Sequence, residues 1–155
     1  MSKPKLLRNG LLVVAFGTFL LAIWLKLFAP VAIVKLPQVS NMSGYHKYVL
    51  LNPFRNPGPE RAAQQFFDIL KSGACEKLPG IAPSIKLPGD LSCEKLHKIV
   101  SDPSHKHVLD QFLRDRIDQG NTTVLWYSND AYAGNQVMLV KRGEHWLVKE
   151  FWGVW

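Results

Sequence analysis

The feature that most constrains this chain is a long apolar segment close to its start. Residues 11–34 contain one charged residue, Lys26, and one polar residue, Thr18. A helix of this length spans roughly 36 Å, enough to cross a hydrocarbon core of about 30 Å. Trp24 suits an interfacial anchor, and the Lys26 ammonium can reach the outer interface. Residues 11–34 are therefore predicted to form a transmembrane helix in the lipid bilayer.

Two other interpretations of this segment remain open. A cleaved signal peptide would end near Ala29 or Ala32, but cutting after Ala32 places Pro30 where a small residue is preferred. A buried core helix is the second alternative. A helix that is apolar on every face would need a larger protein around it than the remaining 120 residues supply.

The charge of the chain is concentrated around the apolar segment. Residues 1–35 hold five basic residues and no acidic one, whereas the rest holds 14 basic against 12 acidic residues. This distribution argues against a nucleic-acid partner, which would require a basic face on the domain. It predicts that residues 1–10 form a cytoplasmic tail and that the C-terminal domain is extracytoplasmic. The expected location is a plasma membrane or bacterial inner membrane, with a single pass.

Cys75 and Cys93 are the only cysteines, and both follow the apolar segment. In an exported domain they are predicted to form a disulfide, which would close a loop of about 18 residues and stabilise it by roughly 3 kcal/mol. Two unpaired buried thiols are the alternative. Neither cysteine belongs to a C-x-x-C pair, so zinc is disfavoured.

The segment after the anchor divides into a tether, helices and strands. Residues 35–58 contain three prolines and no sustained periodicity, which indicates a tether. Residues 59–72 predict an amphipathic helix that ends at Gly73. Prolines and glycines exclude regular structure between Leu78 and Asp90, while residues 91–100 and 104–119 have helical periodicity. The apolar positions of this last helix are Val108, Leu109, Phe112, Leu113 and Ile117.

The last third of the chain is rich in β-branched and aromatic residues. Residues 122–132, 136–141 and 145–154 predict three strands of an antiparallel meander joined by short glycine-containing turns. Helices followed by a sheet give an α+β domain over residues 59–155, with the helices against one sheet face.

The opening PERAAQQFFDILKSG (59–73) and the ending VMLVKRGEHWLVKEFWGV (137–154) are similar in style to the nuclear transport factor two-like superfamily, also called cystatin-like. This resemblance implies helices packed on a curved antiparallel sheet in the shape of a cone. Members use the cone interior for catalysis or small ligands, or fill it and use the sheet as an interaction surface. The proline-rich loop after Leu78 departs from simpler members.

Isomerase-like members of that superfamily pair a carboxylate or histidine with a tyrosine in an apolar cone. Asp130, Tyr132 and His145 are the weak candidates for such catalysis here, beside Tyr127. A solvated turn acid beside surface tyrosines is the structural alternative. His105 and His107 would diverge on a helix, so no metal site is predicted, and no nucleophile motif or phosphate loop indicates an enzyme or cofactor.

Aromatic residues crowd the end of the chain. Five of them are predicted to bind a protein partner: Trp126, Trp146, Phe151, Trp152 and Trp155. The alternative is that the helices and tether of the protein itself cover both faces of the last strand. Simple alternation in the last strand puts Trp146, Val148 and Trp152 on one face. The leading hypothesis is a membrane-anchored accessory or assembly subunit with a membrane-protein partner. The alternative is a small-ligand-binding or isomerase-like domain.

Overall fold

A computed structural model of the chain describes residues 3–28, 31–35, 39–41, 44–46, 49–105, 108–128 and 134–153. Its longer elements are four helices and eight strands in the described ranges. The helices are α1 (Lys3–Leu27), α2 (Gly58–Ser72), α3 (Leu78–Ile81) and α4 (Cys93–Ser101). The strands are β1 (Ala32–Lys35), β2 (Val39–Asn41), β3 (Gly44–His46), β4 (Val49–Leu51), β5 (Phe112–Gln119), β6 (Thr122–Ser128), β7 (Asn135–Arg142) and β8 (His145–Gly153).

Helix α1 contains the predicted anchor, and its stretch Asn9–Leu27 is long and apolar enough to cross a membrane. None of this stretch is buried inside the protein. Within the described structure, α1 is therefore not a buried core helix. It ends at Leu27, before the predicted end at residue 34, because residues 32–35 pair with β4 as a short antiparallel ladder.

Helix α2 confirms the helix predicted over residues 59–72. Pro59 lies in its first turn, and Gly73 ends it with a φ of 70°, a conformation that favours glycine. The buried stripe of α2 consists of Pro59, Ala62, Ala63, Phe66, Phe67, Ile69 and Leu70.

The proline-rich segment is more regular than predicted. A 3₁₀ turn (Cys75–Lys77) leads into the one-turn helix α3, and a second 3₁₀ turn spans Pro88–Asp90. The predicted disulfide is present, with the Cα atoms of Cys75 and Cys93 5.8 Å apart. It joins the segment after α2 to the start of α4. Helix α4 itself confirms the helix predicted over residues 91–100.

The helix predicted over residues 104–119 is wrong. Residues 112–119 form strand β5, and the four-stranded antiparallel sheet has the order β5-β6-β7-β8. A helix would have buried Phe112 and Ile117, which are 71% and 45% exposed, whereas Arg116 is only 5% exposed. Pairing with β6 along nearly the whole strand outweighs the local helical periodicity.

The core lies between α2, α4 and the inner face of this sheet. Phe66 and Phe151 meet edge to face with ring centroids 5.2 Å apart, and Phe67 and Tyr127 do so at 5.1 Å. Leu125, Val137, Leu139 and Val148 complete the sheet side of the core. The described domain is thus a mixed α+β fold, and the cone shape stays a prediction.

A bulge in β8 changes the predicted alternation of the last strand. Met138 pairs with Glu150 and Leu139 pairs with Val148, so Lys149 is an extra residue on the β8 side. The inserted residue puts Phe151 on the inner face with Val148, and Trp152 on the opposite face. The prediction that Val148 and Trp152 share a face is therefore wrong.

Candidate functional site

The sheet face away from α2 carries apolar side chains on all four strands. On the inner face, residues such as Leu125 and Leu139 are fully buried, so the residues that alternate with them point outward. Helix α2 packs on the inner face, where Phe66 meets Phe151. We call the resulting apolar set the outer sheet face: Ile117, Val124, Trp126, Met138, Val140, Leu147 and Trp152.

Strand register brings these side chains into rows across the sheet. Val124 pairs with both Ile117 and Met138, which gives one apolar row across three strands. Val140 pairs with Leu147 in the next row. Directly opposed side chains in a sheet lie about 5 Å apart, so the apolar neighbours within each row are in reach of one another. The polar residues of this face include Glu150, opposite Met138, and Gln136, between the two tryptophans.

The two tryptophans predicted for partner binding that lie on this face are Trp126 and Trp152. Both pair with Gln136 across β7, Trp126 from β6 and Trp152 from β8. Trp126 is half-buried, and Gly134 lies so close to its ring that a Cβ there would come within 2.9 Å of it. Trp152 is 58% exposed. Trp152 is therefore the most accessible aromatic ring of the outer sheet face.

The other three predicted partner residues are placed differently. Phe151 is fully buried in the core, so it is left out of the surface proposed below. Trp146 is half-buried on the inner side, where its indole covers Gly58. Trp155 lies outside the described residues.

A cleft of about 750 Å³ adjoins Trp152 at the sheet edge. Lys86 pairs with β8 here, accepting from the Phe151 N–H and donating to the Lys149 carbonyl, each at 3.0 Å. Leu87 and Leu91 line the cleft opposite Trp152. The cleft therefore extends the apolar surface from the outer sheet face to the proline-rich segment.

Of the three candidate catalytic residues, one lies within the described part of the chain. Asp130 and Tyr132 lie outside it, and His145 is exposed at the start of β8. Burial raises the pKa of Tyr127, and the Glu60 carboxylate adds to this effect. Tyr127 packs edge to face on Phe67 within the core. No three His, Cys, Asp or Glu side chains gather as metal ligands in the described ranges.

A buried ion-pair network links α2 to β5, and the sequence analysis missed it. The Arg116 side chain is 2% exposed and donates to Glu60 Oε1 at 2.8 Å. It also donates to both carboxylate oxygens of Asp118 at 3.0 Å and to the Asn56 carbonyl at 2.7 Å. Arg55 donates to the two Glu60 oxygens at 2.6 Å each. Glu60 is thus held between two guanidinium groups.

These contacts shift the pKa values of Glu60 and Arg55 in the direction that preserves their charges. Burial acts to raise the pKa of Glu60, but the hydrogen bonds from Arg55 and Arg116 outweigh it, and the net pKa is lowered. The hydrogen bond to Glu60 raises the pKa of Arg55. The Glu60 carboxylate is therefore ionised at neutral pH.

Asn52 joins this network to the apolar helix. Its side chain is buried, donates to the Leu25 carbonyl at 2.8 Å and accepts from the Phe54 N–H at 2.9 Å. Its backbone carbonyl accepts from Arg55 at 3.2 Å. The predicted tether is thus hydrogen-bonded to the last turn of α1. The isolated Asn52 carried no signal in the sequence, because its partner lies 27 residues away.

The outer sheet face is the candidate surface for a partner, and the buried Asn52 junction connects the domain to α1. Both depend on side chains brought together by the fold, and neither corresponds to a short sequence motif. No protein-family model matches the sequence, and no curated protein matches it either.

Proposed function

We propose that this chain is a single-pass accessory or assembly subunit of a membrane complex, and that its extracytoplasmic domain binds a membrane-protein partner. The observation that carries the proposal is the outer sheet face. Ile117 and Trp152 of this face are exposed and its other members are half-buried, so apolar groups on all four strands of one face are accessible to a partner. Tryptophan is also among the side chains that contribute most to binding at protein interfaces.

The apolar helix supports the membrane part of this proposal. None of its candidate span is buried inside the protein, and a lipid environment would remove these apolar side chains from water. Hydrogen bonding of Asn52 to Leu25 makes the helix part of the folded unit. This supports a retained anchor over a signal peptide that is cut off near Ala29.

The disulfide supports an extracytoplasmic position for the domain. Disulfides persist in oxidising compartments and are rare in the cytoplasm. The basic residues that precede the apolar span favour the same orientation. Thiol labelling of unfolded, unreduced protein from native membranes tests it, and labelling of both Cys75 and Cys93 would contradict the orientation.

Affinity purification of the full chain in several mild detergents tests partner binding. We expect a stoichiometric membrane protein to be recovered with the wild type and lost with Trp152→Ala. Phe54→Ala is the matched control, because Phe54 is 48% exposed but lies outside the outer sheet face. Recovery of monomer alone in every detergent, or equal losses in both variants, would refute the proposal.

A further inference from the structure

The two ends of the sheet differ in their distance from the membrane helix. At one end lie the β5–β6 turn, the β7–β8 turn and the start of α2, and we call this the proximal end. The two turns are joined by a hydrogen bond from Lys141 N to the Asn121 carbonyl at 2.7 Å. The start of α2 is joined to the sheet by Gly58 against Trp146 and by Asn56 bonded to Arg116.

A short series of contacts fixes the proximal end next to the outer end of α1. Leu25 is bonded to Asn52, Asn52 to Arg55, and Arg55 to Glu60 in the first turn of α2. Each step is one hydrogen bond or ion pair. If α1 spans the bilayer, as in the proposed function, the proximal end lies at the level of the lipid headgroups.

A cleft of about 560 Å³ opens at this proximal end. Arg61 from α2 and Arg142 from the β7–β8 turn line it together with His145, Glu144 and Trp146. Arg61 and Arg142 are both exposed. Neither guanidinium has an ion-pair partner within the described part of the chain. Two cationic groups from separate elements thus face a cleft that is accessible from solvent.

We propose that this cleft binds the headgroup phosphate of an anionic phospholipid from the leaflet on the domain's side. Guanidinium groups bind phosphate oxygens through paired hydrogen bonds. Arg61, Arg142 and Glu144 together give the cleft one net positive charge. This charge matches a singly charged phosphodiester better than a dianionic free phosphate. The choline cation of a zwitterionic lipid would be repelled by the same arginines.

The apolar lining distinguishes a lipid from a free anion. Trp146 is packed between Gly58 and the core, and tryptophan is enriched at the level of lipid headgroups. Ile81 also lines the cleft and offers contact to the glycerol and first acyl carbons. A free phosphate would leave these apolar groups without a partner.

Calorimetric titration of the full chain in a non-ionic detergent tests the assignment. The three ligands are dihexanoyl phosphatidylglycerol, dihexanoyl phosphatidylcholine and inorganic phosphate. Of the three ligands, we expect only phosphatidylglycerol to bind. The double variant Arg61→Gln with Arg142→Gln should weaken its affinity about tenfold or more, since each substitution removes a charged hydrogen bond. Glu144→Gln should tighten binding, because it removes the only acidic group among the described residues that line the cleft.

The control is Lys95→Gln with Lys98→Gln, which removes the same net charge from exposed positions on α4. We expect it to leave binding unchanged. If both double variants weakened phosphatidylglycerol binding equally, the effect would be due to net charge and not to the cleft, and the proposal would be overturned. Phosphate or phosphatidylcholine binding as tightly as phosphatidylglycerol would overturn it as well. Partner recovery through Trp152 is measured separately, so the two proposals fail independently.

Discussion

Replacement of Arg116 by alanine is the perturbation for which the structure makes the sharpest stability prediction. The guanidinium is almost fully buried and donates to Glu60, Asp118 and the Asn56 carbonyl. Removing it leaves two carboxylates and a carbonyl without these donors. Breaking a buried ion pair by deleting one partner costs about 3–5 kcal/mol.

The exposure of the partners places the cost at the lower end of that range. The Glu60 and Asp118 side chains are 19% and 30% exposed, so water compensates part of the loss. Glu60 also keeps Arg55, and Asp118 keeps the Thr123 hydroxyl as a donor at 2.8 Å. We therefore expect Arg116→Ala to lower the free energy of unfolding by about 3 kcal/mol.

Urea unfolding of the full chain in a non-ionic detergent, followed by tryptophan fluorescence, measures this cost. With a slope of about 1.5 kcal/mol per M, the midpoint should fall by roughly 2 M. Arg142→Ala is the matched control, because Arg142 is exposed at the end of β7, and it should cost less than about 0.5 kcal/mol. Similar midpoints for the two variants would refute a stabilising role for the buried network.

The same comparison has a predictable pH dependence. The folded state lowers the pKa of Glu60, so its ionised form contributes stability above the unfolded pKa, near 4.3. That contribution is lost as the pH falls through the lower folded value. The difference between wild type and Arg116→Ala should be full at pH 7 and shrink below about pH 4. A difference that stays constant down to pH 2 would contradict the ion-pair explanation.

Two further predictions concern the helical layer. Cys75→Ser should lower the free energy of unfolding by about 3 kcal/mol by opening the loop to Cys93, and reduction of the wild type should reproduce this loss in the same urea assay. Gly73→Ala should lower the free energy of unfolding by about 2 kcal/mol, since a Cβ there would lie 2.8 Å from His97 Nε2. Gly89 is also at positive φ but faces open space, so Gly89→Ala should cost about 1 kcal/mol. Equal costs for the two glycine variants would count against the His97 contact.

The elements that could be predicted from the sequence are those specified by neighbouring residues. Helix α2 has its apolar stripe, its proline and its ending Gly73 within one segment of 15 residues. The β6–β8 meander has alternating side chains and a turn at Gly143. Local patterns of this kind carry the information about the structure that they form.

Strand β5 shows why local patterns were insufficient elsewhere. Its residues satisfy a helical spacing from Val108 to Ile117, yet the segment pairs with β6 and buries Arg116 beside Glu60, 56 residues away in sequence. Pairing energy and an ion pair between distant residues overcame a weak local preference. The extra residue in β8 was also not predictable from local alternation. One inserted position reverses the face of every residue that follows it.

By itself, the sequence predicted a helix long and apolar enough to span a membrane, an α+β domain after it and a disulfide between its two cysteines. These follow from hydropathy, periodicity and spacing along the chain. Only the tertiary structure decided that Phe151 is core while Trp152 is exposed, that Arg61 and Arg142 face one cleft, and that Asn52 bonds to Leu25. The physical reason is that each of these depends on strand register or on contacts between residues far apart in the chain.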